Sequence, residues 1–254
     1  MKSEDLAYFI GVLHSDGCIF TYSIGNKTRH RYILDVGKKS LPMLKKIKYI
    51  FHEIFGRTPK VRKKLHKNEK PTFLIEVNIG NLKDSFTRLK IDKEKLAPRI
   101  KENQRFFCAY LAGVIDGDGD ISLKRPKYPQ CRIRITAGEE LPGLMELIRR
   151  HLKCSCGLEK AIVSTHSLPR PKKKFGVGYR HCFYVSQKNR KLFKKFVLPH
   201  INIKHKRRKL LDFYKLQEKR AIRCATGPTS TIINSLTYKE VSSGIQSQEI
   251  GSTE

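Results

Sequence analysis

Tyr110-Leu-Ala-Gly-Val-Ile-Asp-Gly-Asp118-Gly119 repeats, in a looser spelling, a stretch met much earlier in the chain: Leu6-Ala-Tyr-Phe-Ile-Gly-Val-Leu-His-Ser-Asp16-Gly17. Each copy is an apolar helical segment that ends in Asp-Gly, and the aspartates at 16 and 118 stand 102 residues apart. Ala7, Gly11 and Ser15 recur every four residues, as do Ala109, Gly113 and Gly117. Positions four apart share one helix face, so each segment carries a stripe of small side chains that another backbone can approach closely. Two matched stripes predict two helices packed on each other, with both Asp-Gly ends on the same side.

A carboxylate at a helix C-terminus opposes the macrodipole by roughly 0.3–1 kcal/mol, and two carboxylates held close repel each other. A purely structural ending would use Gly or Asn. Aspartate becomes favourable when hard divalent cations lie between the pair, because Mg²⁺ prefers carboxylate and water oxygens. Asp16 and Asp118 are therefore the candidate catalytic and metal-binding residues.

Leu111-Ala-Gly-Val-Ile-Asp-Gly-Asp-Gly119 closely resembles the motif of the LAGLIDADG homing endonuclease family. Phe9-Ile-Gly-Val-Leu-His-Ser-Asp-Gly17 resembles it with a departure at His14, where the family usually has an acidic residue. The family's metal-binding carboxylate stands at the eighth motif position, here Asp16 and Asp118. The resemblance implies the monomeric two-motif form, an α+β fold of two αββαββα halves. Each half would hold an antiparallel four-stranded sheet, and the motif helices would join them into a saddle over double-stranded DNA. It also implies a Mg²⁺-dependent endonuclease, with Mn²⁺ as a substitute, that cuts both strands of a long site. The peptide carbonyls of Ser15 and Gly117 are implied as further metal ligands. A basic residue near each metal commonly assists such enzymes, and Lys38, Lys39 and Lys124 are the candidates. Lys38 and Lys39 correspond to Gly138 and Glu139 in the second half. With His14 set against Asp116 as well, the halves are unequal, and an asymmetric target is expected. Asp116 and Asp120, beside Asp118, are expected mainly to serve packing or to support the metal ligands from behind.

Composition supports the same class. The net charge of +30 points to a polyanionic partner. Basic residues are spread over Lys27–Arg223, whereas from Ala225 to Glu254 only Lys239, Glu240, Glu249 and Glu254 are charged. No segment approaches the ~20 apolar residues of a membrane span, and there is no long basic amphipathic helix to lie on a membrane. The motif begins by Leu6, which leaves no room for a targeting peptide. The expectation is an intracellular protein of an archaeal or bacterial cytoplasm, or of an organelle that encodes it. Seven scattered cysteines suit a reducing compartment. His151, Cys154 and Cys156 lack a strong zinc spacing, so these cysteines are read as structural.

The repeat continues past the motifs. Leu41-Pro42 opens a helix running toward Gly56, and Leu141-Pro142 opens another running toward Cys154. Proline suits a helix start, and Ser40 is a candidate cap. Tyr32–Val36 and Arg132–Thr136 alternate with period two, as half-buried strands do. Lys60–Leu65 and Thr72–Ile79 in the first half, and Leu158–Ser164 and Tyr179–Ser186 in the second, read as further strands. Leu82–Leu89 and Lys191–Phe196 read as closing helices. The division is 1–90 for the first half, 91–104 for a connector and 105–224 for the second half, ending in a helix over His205–Arg223. Residues 225–254, rich in Ser, Thr and Gly, are expected to be disordered.

Within the strands, Tyr32, Leu34, Val36, Phe73, Ile75, Val77, Ile79, Ile133 and Ile135 form core faces. The opposite faces present Arg31, Asp35, Arg62, Lys64, Glu76, Asn78, Arg132, Arg134, Arg180 and Tyr184, the candidate DNA-binding set. Arg, Asn and acidic side chains can read guanine, adenine and cytosine edges in a major groove. Two basic clusters without alternation, Arg170–Lys174 and Lys204–Lys209, read as phosphate-contacting loops or a solvated helix face. The alternatives to a nuclease are an intron RNA-splicing maturase of the same fold and a non-cleaving DNA-binding protein; the carboxylate pair favours cleavage. An intein is disfavoured because the ends lack splicing residues.

Overall fold

Strands whose side chains alternate between apolar and polar bury one face and leave the other free, and this chain does so twice. The computed structural model describes residues 3–65, 70–80, 98–124, 129–137, 142–163 and 176–226. The first half holds α1 (Ser3–His14), β1 (Cys18–Ile24), β2 (Lys27–Gly37), α2 (Leu41–Phe55), β3 (Val61–Lys64) and β4 (Thr72–Asn78). A short α3 (Pro98–Glu102) precedes the second motif helix, α4 (Gln104–Asp118). Then follow β5 (Gly119–Lys124), β6 (Gln130–Ala137), α5 (Pro142–Leu152), β7 (Ser155–Val163), β8 (Gly176–Val185), α6 (Arg190–Phe196) and α7 (Lys204–Thr226). Residues 1–213 form one unit, which contains both sheets, and residues 214–254 form another. Among the described residues, no helix is long and apolar enough to cross a membrane.

Both sheets are antiparallel, with strand orders β1-β2-β4-β3 and β5-β6-β8-β7. The same topology is thus built twice. Register brings Tyr32 opposite Val77, Leu34 opposite Ile75 and Val36 opposite Phe73. In the second sheet Ile133 lies opposite Phe183 and Ile135 opposite His181. These rows are the core faces, as alternation predicted. The helix α2 adds Met43, Leu44, Ile47, Ile50 and Phe51 at helical spacing. It ends at Gly56, whose φ of 60° is a left-handed conformation that glycine adopts without strain.

Several boundaries differ from the sequence expectation. α1 stops at His14, so Asp16 stands in a turn closed by Gly17 N–H on the Val12 carbonyl (2.9 Å). By contrast, α4 runs through Asp118. Ser40 stands at the start of α2 but makes no capping hydrogen bond with its side chain, because a 3₁₀ turn over Lys38–Ser40 leads the chain in. Pro42 does occupy the first turn. Part of the connector is helical, and Asn103 caps α4 by accepting from the N–H groups of Arg105 (2.9 Å) and Phe106 (3.3 Å). The last helix reaches Thr226, so Ala225 and Thr226 belong to it rather than to the tail. Cys18, at the start of β1, is exposed. The expected helix at 82–89, the cluster at 170–174, positions 138 and 139, and the tail beyond 226 lie outside the described residues.

Candidate active site

The two motif helices touch backbone to backbone. A Cβ on Gly11 would overlap the Tyr110 carbonyl oxygen and lie 2.9 Å from the Val114 nitrogen. Reciprocally, a Cβ on Gly113 would overlap the Tyr8 carbonyl oxygen and lie 3.0 Å from the Val12 nitrogen. No residue but glycine fits at this crossing. One turn further on, Gly117 meets the Ser15 side chain, and a Cβ there would sit 3.5 Å from Cγ of Asp16. The small-residue stripes therefore deliver the first motif's Asp16 to the second motif's Gly117-Asp118 step.

The seam is tied on both sides by tyrosines at matching motif positions. Tyr8 donates to Asp116 Oδ2 (2.7 Å), and Tyr110 OH lies 3.1 Å from Nδ1 of His14. Asp116 is 1% exposed and also accepts from the backbone N–H groups of Asn202 (2.8 Å) and Ile203 (3.3 Å). It thereby anchors the segment that leads into α7. Burial raises the Asp116 pKa, against those three donors, and raises the Tyr8 phenol well above its ordinary value. Asp116 is a packing and anchoring group.

Lys206, on α7, is the residue that the sequence reading misplaced. The Lys204–Lys209 run reads as phosphate-contacting loops or a solvated helix face, yet Lys206 is 8% exposed. Its ammonium donates to the carbonyls of Ile115 (2.7 Å), Asp116 (2.7 Å) and Gly117 (3.1 Å), the orphan acceptors at the end of α4. Burial pushes the Lys206 pKa down, while Asp116, Asp16, Asp118 and Asp120 pull it up. One ammonium thus senses the carboxylates of both motifs. Asp16 retains an exposed surface, but the protein packed around it raises its pKa, with Lys206 opposing. A signal for Lys206 did exist: Lys206, Leu210 and Phe213 form a buried stripe along α7, so a lysine stands at a core position.

Among the described residues, no three His, Cys, Asp or Glu side chains form a group able to hold a metal ion. The donors at the seam are two carboxylates and peptide carbonyls, all oxygen. That set fits Mg²⁺, which takes few protein ligands and keeps waters or substrate phosphates. The Ser15 hydroxyl is turned back onto the Gly11 (3.0 Å) and Val12 (3.2 Å) carbonyls. The Gly117 carbonyl, a second expected ligand, already accepts from Lys206.

Lys38 and Lys39 lie exposed in the 3₁₀ turn after β2. Lys39, with Lys206 and Lys209, helps to hold the His205 pKa down, after the larger effect of burial, so it stands near the start of α7. Lys124 ends β5, and its side chain lies outside the described ones. Lys209, also unforeseen, donates to the Ile121 carbonyl (2.7 Å) and lies 3.9 Å from Asp120. Asp120 bonds Arg134 as well, and its pKa is lowered: burial pushes it up, and Arg134 and the two lysines outweigh that.

The candidate groove residues do occupy the non-core faces. Arg31 pairs with Glu76 (3.2 Å) and with the Tyr22 hydroxyl (2.7 Å), and Arg62 reaches the same Glu76 (3.5 Å). Lys64 lies 3.6 Å from Asp35. Asn78 is exposed opposite Arg31. In the second sheet Arg132 is opposite Tyr184, and Arg180 is opposite Thr136. Nε of Arg132 and Oγ of Ser122, opposite each other, are buried with no hydrogen-bond partner among the described residues. Cys108, Cys131 and Cys154 are structural in environment: burial pushes their thiols up to about 12, which makes them unreactive.

No protein-family model matches the chain. No curated protein sequence matches it either. Solved structures do. Mesophilic variants of the homing endonuclease I-DmoI superpose with a TM-score of 0.53 at 17% identity, covering 79% of this chain and 98% of that one. I-DmoI in complex with DNA and Ca gives 0.53 at 16% identity, covering 79% and 92%. The LAGLIDADG homing endonuclease I-LtrWI, bound to target DNA, gives 0.49 at 15% identity, covering 92% and 96%. The chain has the fold of the LAGLIDADG homing endonucleases, with both motif copies in one polypeptide.

Proposed function

We propose that this protein is a site-specific endonuclease that cuts both strands of double-stranded DNA with divalent metal held by Asp16 and Asp118. The observation that carries the reading is the seam itself. One crossing, built on Gly11 and Gly113, brings Asp16 and the Gly117-Asp118 step to one end of two helices beside an internal ammonium. Such an arrangement is costly for stability and suits cation binding. I-DmoI structures hold target DNA with Mg or Mn, and another holds DNA with Ca, which supports a metal-dependent nuclease.

Asp16 and Asp118 would hold the metal, with the Ser15 and Gly117 carbonyls as further oxygens. When bound, the metal supplies an activated water and stabilises charge on the leaving 3′ oxygen. Lys206 holds the end of α4 in place and offsets carboxylate repulsion. Lys38, Lys39 and Lys124 are proposed to assist in proton transfer or phosphate binding. Arg31, Arg62, Lys64, Asn78, Arg132, Arg134, Arg180 and Tyr184 would face DNA, while Asp35 and Glu76 orient the cations beside them. The chain would act as a monomer, because it contains both halves. The test is Asp118→Asn: cleavage of a duplex target in Mg²⁺ should vanish while binding in Ca²⁺ stays within a few-fold. Full cleavage by that variant overturns the mechanism.

A further inference from the structure

The groove faces of the two sheets differ in kind. On the first sheet, β1 turns Phe20, Tyr22 and Ile24 to the same side as Arg29 and Arg31, because Phe20 is directly opposite Arg31 and Tyr22 opposite Arg29. Phe20 is 51% exposed and Ile24 56%. Large apolar side chains left in water along a strand need an occupant. The second sheet has no counterpart: among the described residues its exposed large apolar side chains, Leu123 and Leu158, lie in register with the core residues Cys131 and His181. Its groove face offers Asp120, Ser122, Arg132, Arg134 and Tyr184 instead.

We infer that the β1 row reads the 5-methyl groups of thymines in the DNA half-site under the first sheet. The inference rests on the proposed DNA-binding reading and adds the base class to it. In a major groove the one apolar group a base edge presents is the thymine methyl. Cations on the same face, Arg29 and Arg31, suit the flanking phosphates. A second copy of this chain is a poor occupant, since two chains of +30 repel. Stacking on unpaired bases is disfavoured too. Phe20 and Tyr22 already stack on each other (5.9 Å), and Arg31 covers the Tyr22 ring at 4.8 Å. Helical RNA hides its major groove from side chains, and uracil has no methyl.

The experiment selects bound duplexes from a random-sequence DNA pool in Ca²⁺, using the full chain and its Phe20→Ser/Ile24→Ser variant. The wild type should enrich thymines in one half of its site, and the variant should lose that preference there alone. Deoxyuridine in place of thymidine in that half should weaken wild-type binding about tenfold, from the loss of two or three buried methyls. The same change in the other half should alter binding less than twofold. Equal binding of thymine and uracil duplexes overturns the inference while leaving the endonuclease reading intact. So does equal binding of an RNA duplex of the same sequence. Failure to enrich any duplex overturns both readings.

Discussion

Where α1 ends, Ser15 turns its own hydroxyl back on the Gly11 and Val12 carbonyls; where α4 ends, an ammonium from a helix about ninety residues away takes the carbonyls of Ile115, Asp116 and Gly117. The beginnings differ as well. α1 starts with Glu4 and Asp5, acidic residues that favour a helix N-terminus, and α4 starts with an Asn103 cap. In the middle the helices are interchangeable, since the Gly11 and Gly113 contacts mirror each other atom for atom. Symmetry is thus enforced where backbones touch and relaxed where each half meets its own surroundings. Close packing has one solution, whereas orphan carbonyls accept any donor within reach.

Substitution at the crossing tests the symmetric part and should have the largest effect. Gly11→Ala and Gly113→Ala each drive a methyl into the partner's carbonyl oxygen, so the helices must separate. Both should lose about 3 kcal/mol of stability in chemical denaturation, equally within error. A tolerant member of the pair would break the mirror relation. Lys206→Met tests the asymmetric part. It leaves three carbonyls without a donor and the carboxylates without their internal cation, a loss of about 3 kcal/mol. Strand-resolved cleavage should also become more unequal, because α4 loses its fastening and α1 does not. Equal slowing on both strands would reduce Lys206 to a structural role.

The tyrosine pair gives a smaller and graded contrast. Tyr8→Phe removes a donor from a buried carboxylate and should cost about 1.5–3 kcal/mol. Tyr110→Phe faces a half-buried imidazole and should cost about 1 kcal/mol or less. Thermal melts of both variants, with Asp116→Asn in a double-mutant cycle, measure the difference. Equal costs would mean that His14 substitutes fully for the acid at the sixth motif position.

How legible each feature was follows from its range. The stripes of small residues foretold the crossing because helical spacing alone defines a face. Period two foretold which sides of β2, β4 and β6 are core, and the observed register agrees. The partners of the seam were not legible: Tyr8 meets Asp116 across 108 residues, and Lys206 meets the end of α4 across about 90. Local sequence rules carry no information over such separations. A run of basic residues, Lys204–Lys209, also hid two roles, since Arg207 and Arg208 are exposed while Lys206 is buried. The helix stripe through Leu210 and Phe213 distinguishes them only once the phase of α7 is known.

The other end of the seam yields the smallest expected effect. There Arg105, at the start of α4, pairs with Glu4 of α1 (2.8 Å), and Nε2 of His200 lies 3.6 Å from the same carboxylate. Burial lowers the His200 pKa below its ordinary 6.5; Glu4 and Asp5 oppose that shift, and Lys46 and Arg105 add to it. The folded chain therefore binds fewer protons at this imidazole than the unfolded chain does, so stability rises with pH through this range. The contribution is fully present above about pH 6.5 and is lost as pH falls toward the lower folded value. Melts of the wild type from pH 7.5 to 5 should show Tm falling by a few °C below pH 6.5. His200→Gln should flatten that part of the curve and leave the slope from the carboxylates. A wild-type Tm that rises as His200 protonates would mean that its attraction to Glu4 outweighs burial, and that this end of the seam is held by charge as the Lys206 end is.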